Sequence, residues 1–182
     1  MKFVLYSGLC LAFASVTLAA VSKPQAAQLE TTFKAFEKCA FQVGNILDNN
    51  EKPIRKLAGS SVAKLCEEVG ESVVVLNETI YGAWDELMAV SNDAQAAALG
   101  ANVKTLSDAT CKLGTDLAAA LKTKSLTNFK TATAGYIKSA GLAGNTLVSN
   151  LNKMNNVDAK NVSDVIVDLV KIVGKIRKAL SI

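Results

Sequence analysis

The chain has 182 residues, a formal net charge of +4, half of its residues apolar and no histidine. Without histidine it lacks the commonest general base and metal ligand, which excludes serine-histidine and cysteine-histidine catalysis on one chain. The charge is too mild and too dispersed for the electrostatic footprint of a nucleic-acid binder.

The first element is an apolar leader. Lys2 precedes an uncharged run from Phe3 to Ser22, whose apolar stretch from Val4 to Leu18 is broken only by Ser7, Gly8, Ser15 and Thr17. A membrane span needs about 20 strongly apolar residues, so this stretch is short for one. Thr17 and Ala19 stand at the small-residue positions of a cleavage site. The expectation is a signal peptide over residues 1–19 and a secreted, single domain over residues 20–182. Losing Lys2 lowers the charge to +3. No other run is long and apolar enough for a transmembrane segment.

From Pro24 to Asp48, Leu29, Phe33, Phe36, Ala40, Val43 and Leu47 recur at steps of three or four, which predicts an amphipathic helix. Asn49 and Asn50 end it, and Pro53 suits the first turn of the next. Ile54, Leu57, Leu65, Val69, Val73, Leu76, Ile80, Trp84 and Leu87 then carry the stripe on, as one long helix or as two pieces hinged near Gly70. Ser91, Asn92 and Asp93 signal a third start, with Val103 to Leu121 marking a helix that ends near Thr123. A fourth follows Ser125 and runs through Phe129, Ile137, Ala140 and Leu147 to Met154.

Asn152, Asn155, Asn156 and Asp158 supply turn chemistry before the last helix, which ends at Leu180. That helix is apolar around most of its circumference, leaving only Asp164, Asp168, Lys171, Lys175 and Lys178 as a polar stripe. It is expected to sit deep in the fold or to cover something hydrophobic. No stretch alternates long enough to predict a strand. The fold class is therefore all-α, a compact antiparallel bundle of five or six amphipathic helices.

Of the four cysteines, Cys10 leaves with the leader, and Cys39, Cys66 and Cys111 remain. An odd set in a secreted chain implies one bridge plus a free thiol, or an intermolecular bond. A hairpin turning at Asn49 to Pro53 would place Cys39 and Cys66 at similar heights, which favours a Cys39–Cys66 staple with Cys111 buried. An unbridged Cys111 could otherwise link a dimer. Asn77-Glu78-Thr79 and Asn161-Val162-Ser163 are glycosylation sequons, Asn161 the better placed near a helix start.

Glu67, Glu68 and Glu71 beside Lys64 read as a solvated helix face. No motif for a metal, a phosphate or any other cofactor occurs. Glycines are the least expected feature, because most of them fall inside helices at a cost of about 1 kcal/mol each relative to alanine. Either they let helices pack closely, as at Ala140, Gly141 and Gly144, or they leave a groove for an apolar guest.

These features favour a secreted, non-enzymatic protein that binds lipid or another small hydrophobic molecule between its helices. The residues expected to touch it are Trp84, Tyr136, Ala140, Gly144, Leu147, Ile166, Val170 and Val173. The alternative is a secreted module that binds another protein and takes no small ligand.

Overall fold

A computed structural model describes residues 21–182, so the leader expected over residues 1–19 lies outside the described residues. Seven helices follow one another with no strand among the described residues. They are α1 (Lys23–Asn49), α2 (Glu51–Ala58), α3 (Ser60–Gly82), α4 (Trp84–Val90), α5 (Asp93–Lys122), α6 (Leu126–Asn152) and α7 (Val157–Leu180).

The helix starts follow local chemistry. Asn92 and Gln95 form a reciprocal capping box at α5: the Gln95 N–H donates to Asn92 Oδ1 at 2.9 Å, and the Asn92 N–H donates to Gln95 Oε1 at 3.0 Å. Ser125 accepts from the Asn128 N–H at α6, and Asn156 accepts from the N–H groups of Asp158 and Ala159 at α7. Asn92→Ala removes one half of the box and is expected to cost about 1 kcal/mol. A thermal melt should show a fall of roughly 2–4 °C.

The long middle segment breaks at Gly59 and Ala83, and not at Gly70. Gly59 has φ +94°, a conformation open mainly to glycine, and it separates α2 from α3. Gly70 is buried inside α3, where a methyl group in its place would lie 3.5 Å from Asp48 Oδ1 and 3.9 Å from the Gly44 Cα. These are ordinary van der Waals distances, and α3 runs through Gly70 without a break.

The five long helices close into a ring in the spatial order α1, α5, α6, α7, α3 and back to α1. Five rods that alternate in direction around a closed ring must leave one neighbouring pair parallel. That pair is α1 and α5: the Ser22 N–H at the start of α1 donates to Asp93 Oδ1 at the start of α5, at 2.7 Å. The expected all-antiparallel arrangement is corrected at this seam.

Gly100 and Gly114 let the two helices come close, since a methyl at either would stand 3.4 Å from Leu29 or Val43 of α1. Two clusters of buried side chains fill the ring. One gathers around Leu29, Phe33, Ile80, Leu99, Leu147 and Val162, the other around Val43, Ile54, Val69, Leu117, Phe129 and Ile176.

The cysteine pairing also differs from the expected one. Cys39 of α1 is bonded to Cys111 of α5 with a Cα–Cα separation of 4.8 Å, while Cys66 is the buried free thiol. Cys111 is exposed at the seam, and its use within the chain takes away the expected route to a disulfide-linked dimer.

The hairpin geometry explains the change. Residues Glu51–Ala58 form their own helix, so the turn between α1 and α3 is longer than Asn49 to Pro53 and the register shifts. Gly70 stands beside Gly44, and the Tyr81 hydroxyl donates to Glu37 Oε2 at 2.8 Å, so Leu76 lies near the level of Cys39. At about 1.5 Å per residue, Cys66 is roughly 15 Å away along the axis.

Candidate functional site

The ring encloses an apolar cavity of about 240 Å³, and all five long helices contribute to its wall. Phe33 and Phe36 come from α1, Leu76 and Ile80 from α3, and Val103 and Leu106 from α5. The wall of α6 is Tyr136, Ile137, Ala140, Gly141, Gly144 and Leu147, and that of α7 runs from Ile166 through Leu169, Val170, Val173 and Gly174 to Arg177.

The depth of the cavity is lined by buried side chains of α1, α3 and α5. Its mouth lies between α6 and α7, where Ile137, Gly141, Val170, Gly174 and Arg177 keep partial or full exposure. Gly141 and Gly174 face open space, for a methyl at either would meet nothing within 4 Å. Gly144 is different, with the Val170 and Ile166 methyls 3.8 and 3.9 Å from where its own would be. Among the described residues close contact is thus confined to Gly100 and Gly114, Gly70 and Gly144 stand at ordinary van der Waals distance, and Gly141 and Gly174 face open space, as do Gly44, Gly82 and Gly135 away from the cavity.

Helix α7 does not sit deep in the fold. Between Ile166 and Ile176 none of its residues is fully buried, because Val170 and Val173 meet the cavity in place of packed neighbours. A nearly all-round apolar sequence is what such a wall requires: one face seals the ring, and another borders the void and its opening.

Polar chemistry in the wall is sparse. Tyr136 is half-buried, and burial raises the pKa of its hydroxyl, opposed in smaller part by the neighbouring Thr110 hydroxyl. Among the described residues Arg177 is the one charged side chain in the lining, at the mouth, where its Nε–H donates to the Ile182 main-chain oxygen at 2.9 Å. Among the described residues no buried side-chain nitrogen or oxygen lacks a partner, and no cluster of potential metal ligands occurs. The cavity therefore offers shape and a mostly apolar surface.

Of the residues expected to touch a ligand, Tyr136, Ala140, Gly144, Leu147, Ile166, Val170 and Val173 line this cavity together. Trp84 does not. It opens α4 and packs edge-on against Phe33, with ring centroids 5.5 Å apart and planes at 89°, so it buttresses a wall residue from behind. The α3 and α5 walls are not legible in the sequence, because Leu76, Ile80, Val103 and Leu106 carry the same signal as any core residue on an apolar stripe.

A smaller void of about 40 Å³ lies further along the axis and shares Tyr136 and Val173 with the main cavity. It also borders Cys66, whose thiol is pushed up to about 12 by burial alone. The neutral thiol is expected to resist alkylation in the folded protein at pH 8, and mass spectrometry before and after denaturation checks this.

The same shift sets an alkaline limit. An acid whose folded value lies above its unfolded one favours folding below the unfolded value, and that contribution is lost as pH rises from about 9.0 to about 12. Tyr136 acts in the same direction.

The sequons fall in unequal surroundings. Asn77 is half-buried and its Nδ2–H donates to Glu37 Oε1 at 3.4 Å, whereas Asn161 is exposed on α7 with Ser163 of its sequon buried. Comparison with protein-family models, with curated proteins and with solved structures returns no match to this chain.

Proposed function

We propose that this protein is a secreted, non-enzymatic carrier that holds a small hydrophobic molecule or the chain of a lipid inside the ring, admitted between α6 and α7. The observation that carries the reading is the apolar cavity of about 240 Å³ walled by all five long helices. Apolar voids of about 150 Å³ stay dry and take up benzene, so a larger one with a mouth is suited to a bigger guest. Each Å² of apolar ligand surface removed from water contributes about 25 cal/mol.

The glycines at the mouth fit the same reading. Gly141 and Gly174 forgo helix propensity without gaining a close contact, which leaves the opening unobstructed. An amphiphile seated with its tail inward would bring its polar end out beside Arg177. Non-enzymatic action is supported by a chain without histidine. The leader over residues 1–19 supports secretion.

Titration with a fluorescent fatty acid tests the proposal. One saturable site per chain with micromolar or tighter affinity is expected. A folded, monodisperse protein that binds none of it at micromolar concentration overturns the carrier reading and leaves the protein-binding alternative.

A further inference from the structure

A second concavity, sharing no residue with the central cavity, lies where α1 and α5 end beside α2. It measures about 610 Å³, with Ile46, Leu57, Ala118 and Leu121 as an apolar floor. Its rim carries Lys52, Lys56, Lys122 and Lys124, all exposed, and among the described residues no acid lines it.

None of the four lysines belongs to a salt bridge among the described residues. The neighbouring acids are occupied or turned elsewhere: Glu51 pairs with Arg55, Asp116 with Lys112, and Asp48, Glu51 and Glu67 line a separate depression. Helix dipoles account for part of the lysine charge, because the parallel α1 and α5 finish at the same end. Each C-terminus contributes about half a negative charge, which leaves a surplus of about three positive charges.

We propose that this groove binds a small amphiphilic phosphate monoester, its apolar body on the floor and its dianionic head among the four lysines. Lysine ammonium groups act as mobile point charges suited to phosphate oxygens. The floor distinguishes an ester from free phosphate, which has nothing to lay on it. The concavity distinguishes a discrete molecule from a bilayer: its volume falls within the roughly 300–1,000 Å³ of small-ligand sites, and a flat surface would meet the rim and leave the floor unfilled.

Titration of isotope-labelled protein with 1-naphthyl phosphate at low salt, followed by NMR, tests this. Saturable shifts are expected over residues 52–57 and 118–124, with inorganic phosphate about tenfold weaker or more. Lys56→Gln with Lys122→Gln should weaken the ester by about tenfold while circular dichroism stays unchanged, since both side chains are exposed. Gly141→Phe, at the mouth of the other cavity, should leave ester binding unaltered, so this site stands or falls apart from the carrier reading.

Three results overturn the proposal. Equal affinity for inorganic phosphate shows an idle floor, and shifts confined to the α6–α7 mouth place the ester in the central cavity. Binding to phosphatidylglycerol vesicles with none to the soluble ester assigns the lysines to a membrane surface.

Discussion

Gly141→Phe is expected to abolish uptake of an apolar dye while raising the melting temperature. Substitutions that destroy a binding site commonly destabilise or leave stability alone, so the combination is diagnostic. Gly141 lies in the interior of α6 at the cavity mouth, and a methyl there meets nothing within 4 Å. Replacing a mid-helix glycine by phenylalanine recovers about 0.5 kcal/mol of helix propensity. Burying the ring in the mouth adds about 1–2 kcal/mol.

At the size of this chain that amounts to a rise of roughly 3–10 °C in a calorimetric scan. The ring occupies the space a guest would use, and affinity should fall by about thirtyfold or more, read by fluorescence titration. Gly174→Ala is the control, expected to stabilise by a similar propensity gain with binding little changed, because one methyl leaves the mouth open. Full dye binding in a stabilised Gly141→Phe protein would place the dye somewhere other than the ring.

The largest stability effect is expected from Cys39→Ala with Cys111→Ala. The bridge joins residues 72 apart in sequence, and in the chain-entropy description closing a loop of that length stabilises the fold by about 4 kcal/mol. Its loss should lower the melting temperature by roughly 8–16 °C. Cys66→Ala, which trims a buried side chain beside an existing small void, should cost only about 1 kcal/mol. The expected Cys39–Cys66 staple predicts the reverse: a large loss with Cys66→Ala and a small one with Cys111→Ala. Non-reducing peptide mapping of the wild-type protein separates the two pairings directly.

What could be read in advance was local. Helical periodicity, the Asn92 and Ser125 caps and the asparagine turn before α7 depend on residues within a few positions of one another, and the helices lie where those signals put them. The break at Gly59 was also local, signalled by the small residues Ala58, Gly59, Ser60 and Ser61, yet Gly70 drew attention because a glycine amid large apolar residues looks like a hinge. Gly70 is instead buried inside an unbroken helix facing Gly44, and burial is not a local property.

The site divides along the same line. Its α6 and α7 walls stood out because glycine, alanine and an over-apolar helix are unusual for a simple core. The opposite walls consist of ordinary stripe residues, whose neighbours depend on which helices meet. The disulfide was misread for that reason too: consecutive helices suggest a hairpin, and the bonded pair belongs to helices that are not consecutive.

The single parallel seam has a consequence for how the protein assembles. Every other junction of the ring joins antiparallel helices, while α1 and α5 meet only after the intervening α2, α3 and α4 have turned the chain back. Closure across that interval carries a larger loop entropy than the adjoining α5–α6 and α6–α7 hairpins, so the seam is expected to form late. The bond between Cys39 and Cys111 spans this seam, and its oxidation during refolding becomes a clock for the moment the seam closes. An oxidised fraction that lags behind the growth of helical signal would show that helices form before α1 and α5 meet.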